Sequence, residues 1–134
     1  MSARSKARKR ALDVLFESDA RDVDPTELLA ERIAEATPPV NDHTARLVRG
    51  VQDHRTRIDE LLASYSEGWT LDRMPAVDRN ALRIGVFEVL YADDVPDAVA
   101  VTEAMSLVRD LSTDESPQFV NGILGNILRN KPAV

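Results

Sequence analysis

Five of the first ten residues are basic (Arg4, Lys6, Arg8, Lys9 and Arg10), and none of the ten is acidic. Side chains of this kind grip phosphate. Arginine does so with a planar fork of donors that can also stack on a base, lysine with a compact point charge. On a helix beginning near Arg4, Arg4 and Arg8 stand one turn apart, and Lys6 lies beside Lys9 and Arg10 across the next turn. Ala7 and Ala11 then face the core. The residues alone indicate a polyanion without naming it, and a basic N-terminus can also serve solubility only. A flexible single strand lies along a shallow patch with its bases splayed out. A helix-turn-helix reader of duplex DNA needs a compact recognition helix after a short turn. Neither Thr37–Asn41 nor Ala92–Asp97 leads into a distinctly basic helix, which weighs against duplex DNA.

Other chemistry finds less support. His43 and His54 are eleven residues apart, roughly 16 Å along a helix, too far for one metal ion. They read as surface or half-buried histidines. With no cysteine there is no thiolate metal site, disulfide or thiol nucleophile. No G-x-S-x-G elbow is present, and Ser64 and Ser106 lie in helical patterns. Asp93, Asp94 and Asp97 fit no EF-hand loop and read as a solvated, helix-capping loop. Gly122 and Gly125 lack the strand and the Lys-Ser/Thr sequel of a phosphate loop, and read as a close helix approach or a bend. The expectation is no catalytic site, no metal and no cofactor.

The charge balance sets the basic arm apart. The whole chain of 134 residues carries −6, and residues 11–134, with 12 basic and 23 acidic side chains, carry −11. An acidic body repels nucleic acid at long range, while a local patch can still bind it. No run approaches eighteen apolar residues, which excludes a membrane-spanning helix, and Met1–Arg10 leads into no signal-peptide core. These features, with the lack of cysteine, suit a cytoplasmic protein.

The elements that must position the arm read almost entirely as helix. Residues 4–19 place Ala7, Ala11, Leu12, Leu15 and Phe16 on one stripe. Asp24 and Pro25 open a second helix with Leu28, Leu29 and Ile33 on its inner face, and Thr37-Pro38-Pro39 ends it. A third, long helix spans about 41–65, with a polar middle from Gln52 to Arg57 that is either a kink or an exposed face. Trp69, Leu71 and Met74 form a short turn that plugs the core. A central helix covers about 76–91, and its Gly85 implies a close helix crossing. A helix over about 98–111, lined by Val99, Val101, Met105, Val108 and Leu111, follows a cap at Asp97. The last helix, capped by Ser116, runs to about Arg129. The predicted fold is all-α: six or seven helices in one domain. It comprises the arm (1–10), an N-terminal lobe (about 11–66) and a C-terminal lobe (about 67–130).

Three segments carry a family resemblance: Ala7-Arg8-Lys9-Arg10-Ala11-Leu12-Asp13-Val14-Leu15-Phe16, then Val77 to Leu90 with Val101-Thr102-Glu103-Ala104 after Pro96, then Phe119-Val120-Asn121-Gly122-Ile123-Leu124. In order and spacing they resemble the bacterial NusB family of transcription antitermination factors, over residues 4–129. The resemblance implies an all-helical, two-lobed protein. It implies binding of boxA single-stranded RNA together with the ribosomal protein NusE, within an antitermination complex on RNA polymerase at ribosomal RNA operons. By motif position it places Arg4, Lys6 and Arg8 in the arginine-rich RNA-binding segment, beside Lys9 and Arg10. Ser5 interrupts that segment, and Gln118 stands where some members carry lysine near the RNA; both departures remove charge. Glu115 and Phe119 fall near positions linked to RNA or NusE contact. Arg79 and Arg83, one turn apart, are further RNA candidates, whereas Asp78 and Glu88 read as members of a salt-bridged network. Asn121 reads as bonded to backbone inside the fold.

Two alternatives stand beside this reading. One is a self-associating helical module, a homodimer in which Arg10, Asp13 and Glu17 pair across a two-fold axis. The other is an enzyme, which would require a buried cluster of titratable groups around a deep pocket.

Overall fold

A computed structural model of the chain describes residues 2–35 and 39–133. Thr37 and Pro38 of the predicted helix terminator lie outside the described residues. Those described form seven α-helices and no strand: α1 (Ala3–Arg21), α2 (Pro25–Glu35), α3 (Asp42–Asp53), α4 (Arg55–Tyr65), α5 (Ala76–Tyr91), α6 (Asp97–Leu111) and α7 (Ser116–Asn130). One 3₁₀ turn, Leu71–Arg73, precedes α5.

Side-chain caps account for three of the seven helix starts. The Ser2 hydroxyl accepts from the Ser5 N–H and caps α1 one residue earlier than the stripe suggests. Asp24 accepts from the backbone N–H and the hydroxyl of Thr26, ahead of Pro25 at the first helical position. Asn41 accepts from the His43 N–H and caps α3. Ser116 differs from expectation. It is the first residue of α7, and its hydroxyl donates to Asp78 Oδ2 at 2.9 Å instead of capping its own helix.

The long helix expected over 41–65 is two helices, broken inside the polar stretch Gln52–Arg57 in which a kink is one of the two expected readings. His54, at φ −109° and ψ 16°, leaves helical geometry between α3 and α4. Its ring stacks on Tyr91 with centroids 3.8 Å apart, and Arg55 turns to meet Asp19 at 3.1 Å. These long-range contacts hold the break, and a helical repeat carries no trace of them.

Helix α5 is the axis of the fold. Ten consecutive residues, Asn80–Val89, are buried, so it is enclosed on every side. It packs against α1, α3, α4, α6 and α7. The expected close crossing at Gly85 is present: a Cβ there would stand 2.8 Å from Leu124 Cδ1 and 3.4 Å from Ala104 Cβ. The core is one cluster that joins Leu12, Leu15, Leu47 and Leu62 from the first half of the chain to Leu82, Val108, Leu124 and Ile127 from the second.

Several expected core residues lie outside it. Phe16, Ile33, Val99 and Leu111 are exposed, and Trp69 is 51% exposed while Met74 fills the core beside it. Conversely, His43 is 5% exposed, not a surface group. Gly122 mediates no close approach, since nothing lies within 4 Å of a Cβ built there. Asn121 is exposed, and its side chain makes no hydrogen bond among the described residues.

Candidate nucleic-acid interface

The basic arm is the first part of α1, and the helix sorts its charges by face. Arg4, Lys6 and Lys9 are exposed and Arg10 is partly exposed, while Ala7 and Arg8 are buried. Arg4 pairs with Asp94 at 3.0 Å, and Lys9 pairs with Asp13 one turn on at 3.3 Å. Lys6 and Arg10 make no ion pair among the described residues. Lys9 and Ser5 border a groove whose other wall is Glu103, Leu107, Asp110 and Leu111 of α6.

Arg8 does not belong to this surface, contrary to the expectation from sequence. It is 2% exposed. Its Nε and Nη2 reach the two oxygens of Glu88 at 2.7 and 2.9 Å, and Nη1 lies 3.5 Å from Glu103. His43 Nε2 meets Glu88 Oε2 at 3.1 Å. Burial raises the pKa of the Glu88 carboxyl, but bonds from His43 and Arg8 outweigh it and hold the pKa below its ordinary value. A guanidinium committed to a bidentate buried pair has no donor face left for phosphate.

Arg79 and Arg83 are likewise drawn into ion pairs inside the fold. Arg83, 5% exposed, forks onto Asp59 at 2.9 and 3.1 Å and reaches Asp19 at 3.1 Å. Arg79 meets Asp19 Oδ2 at 3.1 Å and donates to the Leu71 carbonyl at the same distance. Asp19 also accepts from Asn80 and Arg55. Burial pushes the Asp19 pKa up, and the Asn80 hydrogen bond with the charges of Arg83 and Arg79 brings it down below its ordinary value. This cluster ties α1, α4 and α5 together and offers no unpaired cation.

A second surface lies between the 3₁₀ segment and α7. Trp69 and Phe119 meet edge to face with centroids 6.0 Å apart. With Pro75, Asp78, Thr113, Glu115 and Ser116 they line a cavity of about 350 Å³. Asp78 is 3% exposed, and its Oδ1 has no hydrogen-bond partner among the described residues. A buried carboxylate oxygen without a donor is costly. On the other side of the aromatic pair, Gln118, Gly122 and Asn126 border a shallower groove. Gln118 and Glu115 are exposed, and Phe119 is partly buried against the core. Trp69 lies on this surface and not in the core that its sequence context predicts. Its position after Gly68, outside any helical stripe, was the available signal.

Residues 5–129 match the model of the NusB family. The chain belongs to the NusB family. A relative from Nocardioides sp., named transcription antitermination protein NusB, is 74% identical over all of this chain and 99% of its own length. A solved structure of T. maritima NusB superposes with a TM-score of 0.85 at 31% identity, covering 96% of this chain and 92% of that one. Another solved structure, of antitermination factors NusB and NusE in complex with dsRNA, has a TM-score of 0.81 at 28% identity, covering 95% and 96%. The all-helical fold is thus the NusB fold. Within it, this NusB-family chain separates two kinds of arginine: Arg8, Arg79 and Arg83 lock helices together, while Arg4 and Arg10 face outward on α1.

Proposed function

We propose that this chain is a non-enzymatic antitermination factor that binds boxA single-stranded RNA together with NusE. The assembly would then act with RNA polymerase on ribosomal RNA operons, in the cytoplasm. The observation that carries the reading is the set of water-facing cations Arg4, Lys6, Lys9 and Arg10 at the start of α1, on a chain of the NusB family. Those cations contact the strand, with Gln118 as an uncharged contact. The exposed Trp69 with Phe119 offers a platform on which a base can stack. The exposed Glu115 beside it presents an acceptor to donors of RNA or of the ribosomal partner. The strongly acidic body speeds encounter with a basic ribosomal protein.

The test is a fluorescence titration of single-stranded boxA RNA, with and without NusE. A duplex of the same sequence is included because a NusB–NusE relative was solved with dsRNA. Single-stranded binding that tightens with NusE is expected, and changing Arg4, Lys6 and Arg10 together to alanine weakens it and flattens its salt dependence. No binding at low salt in either case refutes the reading. The exposed Leu111 at the edge of the Lys9 groove favours one second reading, a homodimer closed over that groove. Sedimentation at several concentrations, with and without RNA, separates the two.

A further inference from the structure

Arg46 belongs to no motif of the sequence. It projects from α3 onto the loop between α5 and α6, where Nη2 lies 2.8 Å from Asp94 Oδ1 and Nη1 lies 3.0 Å from Oδ2. The same Oδ2 accepts from Arg4 Nη2 at 3.0 Å. One anionic oxygen therefore sits between guanidiniums from two helices. The arrangement is open to water: the side chains of Arg4, Arg46 and Asp94 are 48%, 37% and 49% exposed. Arg46 first, and Arg4 after it, hold the Asp94 carboxyl far below the usual carboxylate range.

We propose that Arg4 and Arg46 form a two-arginine seat for a backbone phosphate of the RNA strand, which the Asp94 carboxylate fills in the free protein. The inference rests on the RNA-binding reading above and names a subsite within it. A phosphodiester, like a carboxylate, presents two anionic oxygens to arginine forks, so the seat is preorganised for it. The pairings with Asp94 are exposed and screened, which makes exchange for an incoming phosphate cheap. Asp93, exposed next to Asp94, adds a second negative charge that opposes the strand. Asp94 is then a built-in competitor that sets affinity, and Arg46 is a phosphate contact indifferent to base sequence.

The experiment titrates fluorescent boxA RNA, and a scrambled single strand of equal length, into the full chain and its variants over a series of salt concentrations. Asp94→Asn is expected to tighten both strands severalfold. Arg46→Ala is expected to weaken both and to flatten the slope of log K against log salt by about 0.7, one single-strand phosphate contact. The loss must persist when Arg46→Ala is made in the Asp94→Asn background, where no carboxylate remains for Arg46 to hold. If Arg46 only pins Asp94, that loss vanishes and the slope stays unchanged, which overturns the proposal. Thermal melts check folding. Should Arg46→Ala not fold, Arg46→Lys, which keeps the charge and loses the fork, carries the test by a weaker affinity at nearly constant slope. Wild-type protein that binds neither strand refutes the RNA reading itself. Wild-type binding with variants indistinguishable from it refutes the phosphate seat alone.

Discussion

Replacing Arg8 with alanine separates a structural arginine from an RNA-binding one. In the folded protein Arg8 and Glu88 are 2% and 1% exposed and joined by two hydrogen bonds of 2.7 and 2.9 Å. Alanine leaves the Glu88 carboxylate buried with His43 as its remaining side-chain partner. Removing one partner of a buried pair costs about 3–5 kcal/mol. A domain of this size is stable by only about 5–15 kcal/mol in total. The melting temperature should fall by about 10–20 °C, read by circular dichroism and checked by a urea titration. Below its melting range, Arg8→Ala should bind RNA with the salt slope of the wild type, because no phosphate contact has been lost. Changing Arg8 to Met together with Glu88 to Leu should recover only part of the stability: an apolar pair avoids the desolvation of two charges but leaves buried His43 without its partner. An Arg8→Ala protein that melts within a few degrees of wild type but loses a unit of salt slope would refute the burial argument.

Three further outcomes follow from the same geometry. Gly85→Ala drives a Cβ to 2.8 Å from Leu124 and should cost about 1–3 kcal/mol, whereas Gly122→Ala, with open space around it, should gain about 0.5–1 kcal/mol; paired urea titrations check both. Glu88 is held below its ordinary value of 4.5 when folded, so it supplies stability above that pH and withdraws it as the pH falls through the folded value. The slope of stability against pH below about 4.5 should therefore be shallower in Glu88→Gln, whose stability at neutral pH is already lower. Trp69→Ala, at a half-exposed site, should barely shift the melting temperature yet weaken binding of single-stranded RNA by about 1–3 kcal/mol if a base stacks there; unchanged affinity removes Trp69 from the interface.

Periodicity made the helices legible. Leu12 and Leu15, Leu47 and Val51, or Ile123 and Ile127 repeat at helical spacing, and amphipathic repeats report burial directly. The same logic failed where a helix edge faces water. Phe16, Val99 and Leu111 keep the period and remain exposed, because the stripe is wider than the contact it makes. At His54, inside the polar stretch Gln52–Arg57 that reads as either a kink or an exposed face, stacking on Tyr91 and the reach of Arg55 to Asp19 select the break without a glycine or proline to mark the place.

Composition and order of residues settled that the chain is helical, that its positive charge gathers in residues 4–10, and that no cysteine or metal-spaced histidine pair offers chemistry. They could not settle which arginines are free. Arg8 and Lys6 look equivalent in a string of letters, and a helix turns one inward to Glu88 and the other to water. The pairing of Arg83 with Asp59 and Asp19, and of Arg4 and Arg46 with Asp94, joins residues up to 90 positions apart. A local pattern fixes the phase of a side chain around its own helix. Its partner is fixed by which other helix packs there, and only the assembled core decides that.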